Sequence, residues 1–321
     1  MSNLDRQPDL AVCGGRAGIT AAPVRELLNG RRVPLGESTE VRRLLPTLGR
    51  RMVGAWCFAD HYGPDNIATA PGMRVPPHPH TGLQTVSWLL DGEVLHRDSL
   101  GSEQLLRPGQ LGLMTAGRAI SHAEQTPPEH SRVLHGAQLW VALPDASRFA
   151  EPAWEFHADL PAWTDRGAVG TVILGEFDGV ASPGATHSPL VGVDLALAAG
   201  TDIELSVEPD FEYAVFVADG AVEIEELPIE PGPLLYLGCG RSSLRVRAAL
   251  DSRVLLLGGE PFAEKIVMWW NFVARTGAEI AAVREEWMTG ETFGTVRGYP
   301  GDPLPAPPLP ATPLRPRGRE R

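Results

Sequence analysis

This sequence has few cysteines, no long hydrophobic run and no excess of basic charge. Its three cysteines, Cys13, Cys57 and Cys239, are far apart and form no CxxC pair, which argues against a disulfide framework or a thiolate metal site. No run approaches the ~18 apolar residues of a membrane-spanning helix, and the N-terminus lacks a signal-peptide pattern. Lysine and arginine total 28 against 40 acidic residues, for a formal net charge of −12. We therefore expect a cytoplasmic protein with no membrane segment and no direct nucleic-acid binding.

Glycine and proline are abundant, with 35 and 30 residues, which favours a turn-rich fold over a helical bundle. Short strand-like segments recur between about residues 41 and 273. Asp-Gly or Pro-Gly turns separate them at residues 91–92, 108–109, 178–179, 219–220 and 231–232. Many short strands with such turns predict an antiparallel sandwich or barrel.

Two stretches of the chain resemble each other. Residues 85–94 (TVSWLLDGEV) and 213–222 (YAVFVADGAV) each run from an apolar strand into an Asp-Gly turn, and a Pro-Gly turn follows each. This pattern predicts an internal duplication and hence two barrels. One helix is also predicted, because Thr276 and Glu279 form a capping box before an apolar stripe and Gly290 follows it.

The main chemical signal is a pair of short histidine motifs, His78-Pro79-His80 and His122-Ala123-Glu124. Side chains on a strand alternate between its two faces, so each motif directs two ligand atoms to one side of a sheet. If the two strands are neighbours in a barrel, three imidazoles and one carboxylate converge. Such a ligand set suits Fe(II), but Ni, Cu, Mn or Zn would also accept it.

The sequence around these motifs resembles the cupin motifs and, more narrowly, the pirin family. The similar segments are residues 50–63 (RRMVGAWCFADHYG), 77–82 (PHPHTG), 96–101 (HRDSLG), 114–125 (MTAGRAISHAEQ) and 269–275 (WWNFVAR). The resemblance implies an all-β fold of two tandem cupin (jelly-roll) β-barrels with one short C-terminal helix. It also implies one metal in the N-terminal barrel, with His78, His80, His122 and Glu124 as its ligands.

On this basis the chain divides into five segments. They are a flexible N-terminal segment (1–36), a metal-binding cupin domain (37–143), a linker with crossing strands (144–183), a metal-free cupin domain (184–298) and a disordered Pro/Arg-rich tail (299–321). Aligning the two Asp-Gly turns places Ser206, Glu208 and Glu212 opposite His78, His80 and Gln84. The second barrel therefore lacks the histidine ligands.

Several residues are candidates for a pocket or for contacts that support the ligands. Many cupins carry a glutamate ligand where this chain has Gln84, so Gln84 is a candidate pocket residue. The other candidates are His61, His96, Met52, Phe58 and Met114. For each of them an ordinary structural role is the alternative.

Three functional hypotheses remain open. The first is an Fe(II)-dependent dioxygenase of quercetin 2,3-dioxygenase type, which acts with O2 on a flavonol or similar aromatic diol or enol, with Glu124 as ligand and catalytic proton acceptor. The second is a non-catalytic, iron-dependent redox sensor that binds a transcription factor or metabolic enzyme. The third is a stress or structural protein with a vestigial metal site. We expect a monomer or weak dimer in each case.

Overall fold

The structure is built from short antiparallel strands. This computed structural model describes residues 11–13, 23–35 and 39–316, which contain 26 strands and one helix. Strands β1 to β13 are Ala11–Cys13, Glu26–Asn29, Arg31–Leu35, Thr39–Leu45, Trp56–Asn66, Arg74–His80, Leu83–Asp91, Val94–Asp98, Glu103–Leu106, Leu111–Thr115, Ile120–Gln125, Val133–Ala142 and Ala153–His157. Strands β14 to β26 are Ala162–Asp165, Ala168–Phe177, Val180–Ala181, Leu190–Leu197, Thr201–Ser206, Glu212–Asp219, Val222–Ile224, Leu227–Ile229, Pro233–Gly238, Ser243–Ala248, Ser252–Gly259, Ile266–Trp269 and Phe272–Ala274, and helix α1 is Gly277–Thr289.

Two barrels account for most of the strands. The first combines a seven-stranded sheet, in the order β13-β10-β7-β12-β5-β4-β3, with a four-stranded sheet, β6-β11-β8-β9. The second combines the order β14-β15-β17-β24-β19-β22-β2 with β18-β23-β20-β21, and β16 pairs with β15. A small third sheet, β1-β25-β26, adjoins the first barrel, where Phe272 forms a bridge with Thr81. The predicted all-β, two-barrel architecture is confirmed, and the exact domain boundaries stay predictions.

The hydrophobic core includes a layer between the barrels as well as the interior of each barrel, because the central strands are buried on both faces. On β19, Val215 and Val217 pack inside the second barrel, whereas Ala214 and Phe216 pack between the barrels. Trp56 of the first barrel is fully buried in this middle layer, and its indole Nε1 lies 3.1 Å from the carbonyl oxygens of both Val191 and Gly258. Strands buried on both faces are apolar at nearly every position, which explains the uninterrupted apolar runs of β19 and β24.

The first residues of the chain contribute strands to both barrels. The predicted flexible segment 1–36 contains β2, which pairs with β22 of the second barrel, and β3, which pairs with β4 of the first. Residues 26–29 and 31–35 of this segment are therefore paired backbone, whereas residues 1–10, 14–22 and 36 lie outside the described residues. Leu28 is the one buried side chain of β2, so the sequence carries little hydrophobic signal for this strand. Main-chain hydrogen bonds to β22 hold it in place.

The proline-rich tail is packed where disorder was predicted. The main-chain N–H of Leu304 donates to the carbonyl oxygen of Pro77 on β6 at 2.8 Å, and Ala306 is buried. Trp287 of the helix donates from its indole N–H to the carbonyl oxygen of Leu304, also at 2.8 Å. The prediction of a disordered tail is thus wrong for residues 304–307, because tertiary contacts replace the missing local structure. Residues 317–321 lie outside the described residues.

The predicted helix is confirmed as α1. Thr276 is its N-cap and accepts a hydrogen bond from the main-chain N–H of Glu279 at 3.1 Å. Ile280 is buried among side chains that include Trp269 and Phe272 of the small sheet. No helix in the described part of the chain has the length and apolarity needed to cross a bilayer.

Candidate metal centre

Two neighbouring strands of the first barrel carry the predicted ligands. Strands β6 and β11 pair antiparallel, with the Cα atoms of His78 and His122 opposite each other. His78 and His80 lie two residues apart on β6, so their rings leave the strand on the same face. The register with β6 shifts beyond His122, because the two-residue step from His122 to Glu124 faces a three-residue step on β6, from His78 back to Val75, so the bulge lies on β6. Strand β11 pairs with β8 without a shift, so His122 and Glu124, two residues apart, lie on the same face of β11.

Three imidazole rings form a compact, fully buried cluster. The ring centroids of His78 and His122 are 4.3 Å apart, and the centroid of His80 lies 5.0 Å from each of the other two. The Nε2 atoms of His80 and His122 are 3.1 Å apart. One ring nitrogen from each of the three lies within 4.8 Å of the others, so these side chains could share one metal ion.

Main-chain carbonyl groups set the protonation of two of these rings. The Nδ1–H of His78 donates to the carbonyl oxygen of Pro76 at 2.8 Å, and the Nδ1–H of His80 donates to that of Asn271 at 3.0 Å. Because a carbonyl oxygen only accepts, the hydrogen of each neutral ring must lie on Nδ1, which leaves a lone pair on Nε2. The Nε2 of His78 is buried without a hydrogen-bond partner among the described residues. An unpartnered imidazole lone pair beside two further imidazoles fits a metal ion.

The environment also favours the uncharged imidazoles that bind metals. Burial lowers the pKa of His78 to about 3. Burial, followed by the neighbouring imidazoles, lowers the pKa values of His80 and His122 well below their usual range. At neutral pH the three rings are therefore uncharged, which is the form that binds metals.

Glu124 joins the cluster through His122 and His96. These three residues form a second group whose ligand atoms lie within 4.8 Å of one another. Ser87 donates from its hydroxyl to Oε1 of Glu124 at 2.8 Å. His96 lies 3.2 Å from a carboxylate oxygen of Asp98, and its ring stacks on Trp154 with centroids 3.7 Å apart. His122 belongs to both groups, so all four predicted ligands lie around it. Their role as ligands stays a prediction.

An aromatic wall adjoins the cluster. Phe58 stacks on Trp140 at 4.0 Å between centroids, and Trp140 meets the ring of His80 edge-on at 5.0 Å. Phe58 is thus one ring away from a predicted ligand. Met52 and Met114 are fully buried in the hydrophobic core that also holds Trp140. This position agrees with the ordinary structural role that was the alternative for both residues.

Two predicted pocket residues are not brought to the cluster. The amide N–H groups of Gln84 donate to Thr115 Oγ1 at 3.0 Å and to the carbonyl oxygen of Ala185 at 3.1 Å. His61 pairs with His135, with 2.9 Å between the Nε2 atoms, and its ring lies 5.7 Å from that of Phe216 in the second barrel.

Strand alternation explains both corrections. On β7 it is Ser87 that contacts Glu124, and Gln84 lies three residues away, on the opposite face. On β5, Phe58 stacks on Trp140 inside the first barrel, and His61 again lies three residues away. An odd spacing along a strand reverses the face, so Gln84 and His61 point out of the first barrel.

Four residues near the cluster were missed from the sequence. They are Ser87, which contacts Glu124, Gln138, which contacts Ser87, Trp140, which contacts His80, and Asn271, whose carbonyl oxygen holds His80. Gln138 and Trp140 alternate on β12 in the pattern of one strand face, which is the signal that could have found them. Asn271 belongs to a segment 191 residues away, and no local pattern indicates its contact.

The second barrel presents different side chains at the matching positions. Glu212, aligned with Gln84, accepts hydrogen bonds from the main-chain N–H of Gly54 at 2.7 Å and from the hydroxyl of Tyr236 at 2.6 Å. It therefore links the two barrels. In the described part of the chain, both metal-compatible groups belong to the first barrel. That the second barrel binds no metal stays a prediction.

The two barrels, with a buried His/Glu cluster in the first, define the class of bicupin proteins. Comparison with known families gives the more specific result. The pirin family model matches residues 38–141, and the model of the pirin C-terminal cupin domain matches residues 192–294. This chain belongs to the pirin family.

Individual relatives agree with this assignment over most of their length. A protein of Pseudomonas aeruginosa, provisionally named a quercetin 2,3-dioxygenase, is 44% identical over 87% of this chain and 89% of its own. A pirin-like protein of Caulobacter vibrioides is 36% identical over 82% and 93%. The crystal structure of a quercetin 2,3-dioxygenase from Acinetobacter baumannii matches with a TM-score of 0.88 and 41% identity, over 91% of this chain and 97% of that one.

Proposed function

We propose that this protein is a metal-dependent dioxygenase of the quercetin 2,3-dioxygenase type. His78, His80, His122 and Glu124 would hold one metal ion, for which Fe(II) is our first choice and Ni, Cu, Mn or Zn are the alternatives. The observation that carries the proposal is the buried imidazole cluster, in which the Nε2 of His78 has no partner among the described residues. When bound, such a metal supplies Lewis-acid and redox chemistry for an aromatic substrate and O2.

The chain itself contributes positioning, exclusion of water and a proton acceptor. His78, His80 and His122 have no exposed surface, so the cluster lies away from bulk water and its electrostatic interactions are strong. Ser87 holds Oε1 of Glu124, which orients this carboxylate to take the proton of a substrate hydroxyl. Trp140, which contacts His80, offers an apolar face against which a planar substrate can pack.

The substrate class rests on the relatives. Quercetin 2,3-dioxygenase appears in the name of the relative from Pseudomonas aeruginosa and in that of the structure from Acinetobacter baumannii. Both are more than 40% identical to this chain over most of its length. They support a flavonol, or a similar aromatic diol or enol, as substrate, with O2 as the second reactant.

The test combines metal analysis with oxygen consumption. Freshly purified protein should contain about one transition-metal ion per chain, and the iron-loaded form should consume O2 when quercetin is added. His80→Ala should abolish both metal retention and turnover without unfolding the protein. The matched control is His130→Ala, because His130 pairs through Nδ1 with the carbonyl oxygen of Ser131 and belongs to neither metal-compatible group of the described residues. Metal-loaded protein that turns over no flavonol or catechol would refute the proposed activity.

The same preparation separates the enzyme from a redox-sensing module. A sensor should bind a protein partner with different affinity in its ferrous and ferric states, and equal affinity would exclude that hypothesis. We also propose a cytoplasmic location and a monomer or weak dimer. The location is supported by Cys57, which is a buried free thiol.

A further inference from the structure

Strand β12 presents two buried polar atoms that lack partners beside the candidate metal centre. They are Nε2 of Gln138 and Nε1 of Trp140, and neither has a hydrogen-bond partner among the described residues. Both side chains are at most 1% exposed. They lie two residues apart on one strand and therefore on the same face. Buried polar atoms without partners are rare, and two on one face indicate a surface that binds a polar ligand.

Both residues touch the predicted ligands. Trp140 contacts the ring of His80. Gln138 lies opposite Ser87 on the neighbouring strand β7, with 3.1 Å between its Oε1 and the hydroxyl oxygen. The same hydroxyl lies 2.8 Å from Oε1 of Glu124. Gln138 is therefore connected to Glu124 through a single hydroxyl group.

A count of hydrogens determines how the Gln138 amide must be oriented. The Ser87 hydroxyl has one hydrogen, but it lies between two oxygens, those of Glu124 and Gln138. It can donate to only one of them, and the carboxylate of Glu124 is the stronger acceptor. A half-turn of the Gln138 amide fills the same space and lets its N–H donate to Ser87, while Ser87 donates to Glu124. Every short contact then becomes a hydrogen bond.

In that orientation the amide oxygen of Gln138 becomes the buried atom without a partner. An oxygen accepts and does not donate, so its natural partner is a hydroxyl hydrogen of a bound molecule. The Trp140 indole N–H, on the same face, is a donor and would pair with an acceptor such as a carbonyl oxygen. Together they match a ligand that carries both a hydroxyl and a carbonyl group.

We propose that Gln138 is a specificity-determining residue, which recognises a substrate hydroxyl through the amide oxygen that Ser87 orients into the site. This inference rests on the proposed function, because it assigns a hydroxyl-bearing substrate to the same centre. It goes further in naming the residue that distinguishes a hydroxyl group from its methyl ether. A methyl ether has no hydrogen to donate, so it leaves the buried acceptor unpaired.

Binding to Zn(II)-loaded protein tests the inference without turnover. Calorimetry would give the dissociation constants of quercetin and of its mono-O-methyl ethers. Wild-type protein should bind quercetin roughly 3- to 10-fold more tightly than the ether that is methylated at the recognised hydroxyl. This ratio is the expected effect of one hydrogen bond to a neutral acceptor. In Gln138→Met, which keeps the side-chain volume, that ratio should fall to about 1. Ser87→Ala should lower it as well, because the amide loses its orienting partner.

Gln84→Met provides the matched control. It makes the same substitution at a buried glutamine on the adjacent strand β7, but on the face that points away from the cluster. This variant should keep the wild-type ratio even if it is less stable. An unchanged ratio in Gln138→Met, or an equal loss in Gln84→Met, would overturn the inference and leave the proposed function intact. If wild-type protein bound neither quercetin nor its ethers, the proposed function would fail and this inference with it.

Discussion

Acid should destabilise this protein through His61, a histidine that lies outside the candidate metal centre. His61 is buried between the barrels, with its Nε2 2.9 Å from that of His135. Burial, followed by the effects of His135 and Arg42, lowers the pKa of His61 to about 3. In the unfolded chain the pKa returns to its ordinary value of about 6.5. Below pH 6.5 the unfolded state therefore takes up a proton that the folded state does not.

The size of the effect follows from the difference between the two pKa values. Each pH unit between about 6.5 and 3 lowers the free energy of unfolding by about 1.4 kcal/mol. At pH 5 His61 should therefore reduce stability by about 2 kcal/mol relative to neutral pH. His61→Gln keeps a polar side chain that can pair with His135 but cannot titrate, so this variant should lose that part of the pH dependence.

Urea denaturation at pH 7 and pH 5 measures the effect. The loss of stability between the two pH values should be about 2 kcal/mol smaller in His61→Gln than in the wild type. His130→Gln, the same substitution at a histidine in the loop between β11 and β12, is the matched control. Because other buried histidines also titrate, the difference between variants is the quantity to compare. If the free energy of unfolding depended equally on pH in the wild type and in His61→Gln, His61 would take up its proton in the folded protein as readily as in the unfolded chain. That result would refute the reasoning.

Three further perturbations address the site, the core and the tail. Excess metal, at 100 times its dissociation constant, should stabilise the wild type by about 2.7 kcal/mol in thermal denaturation, and His80→Ala should lose this gain; an equal gain would place the metal elsewhere. Asp60→Asn should cost about 3–5 kcal/mol in urea denaturation, because it leaves the buried guanidinium of Arg43 without its bidentate partner; a cost below about 1 kcal/mol would contradict this. Trp287→Phe, which removes the N–H that holds Leu304, should cost about 1 kcal/mol and accelerate proteolysis of the tail; unchanged proteolysis would show that other contacts hold it.

Several features could be predicted from the sequence because they depend on short spacings. The spacing of His78 and His80 places both rings on one face of any strand. Thr276 and Glu279 mark the start of α1 whatever surrounds the helix, and Thr276 is indeed its N-cap. The two similar stretches with Asp-Gly turns indicated two barrels, and they include the central strands β7 and β19 of the two larger sheets.

Other features were predicted wrongly or were missed because distant partners determine them. Gln84 aligns with a cupin ligand position, but its amide is bonded to Thr115 and to the chain at Ala185. The tail has no hydrophobic periodicity, yet Trp287 and the backbone of Pro77 hold it. In each case the contacting residue is too distant along the chain for a local sequence pattern to indicate the contact.

The sequence by itself determined the strand-rich composition, the duplication and the pairing of ligands within each histidine motif, because these follow from backbone geometry over a few residues. Only the tertiary structure decided which face of each strand points into the barrel and which distant groups complete the site. The carbonyl oxygen of Asn271 meets His80 across 191 positions of chain, and Gln138 approaches Glu124 only because β12, β7 and β11 converge. The physical reason is that side-chain alternation is a local property, whereas strand order, register and bulges arise from hydrogen bonds and packing between remote segments.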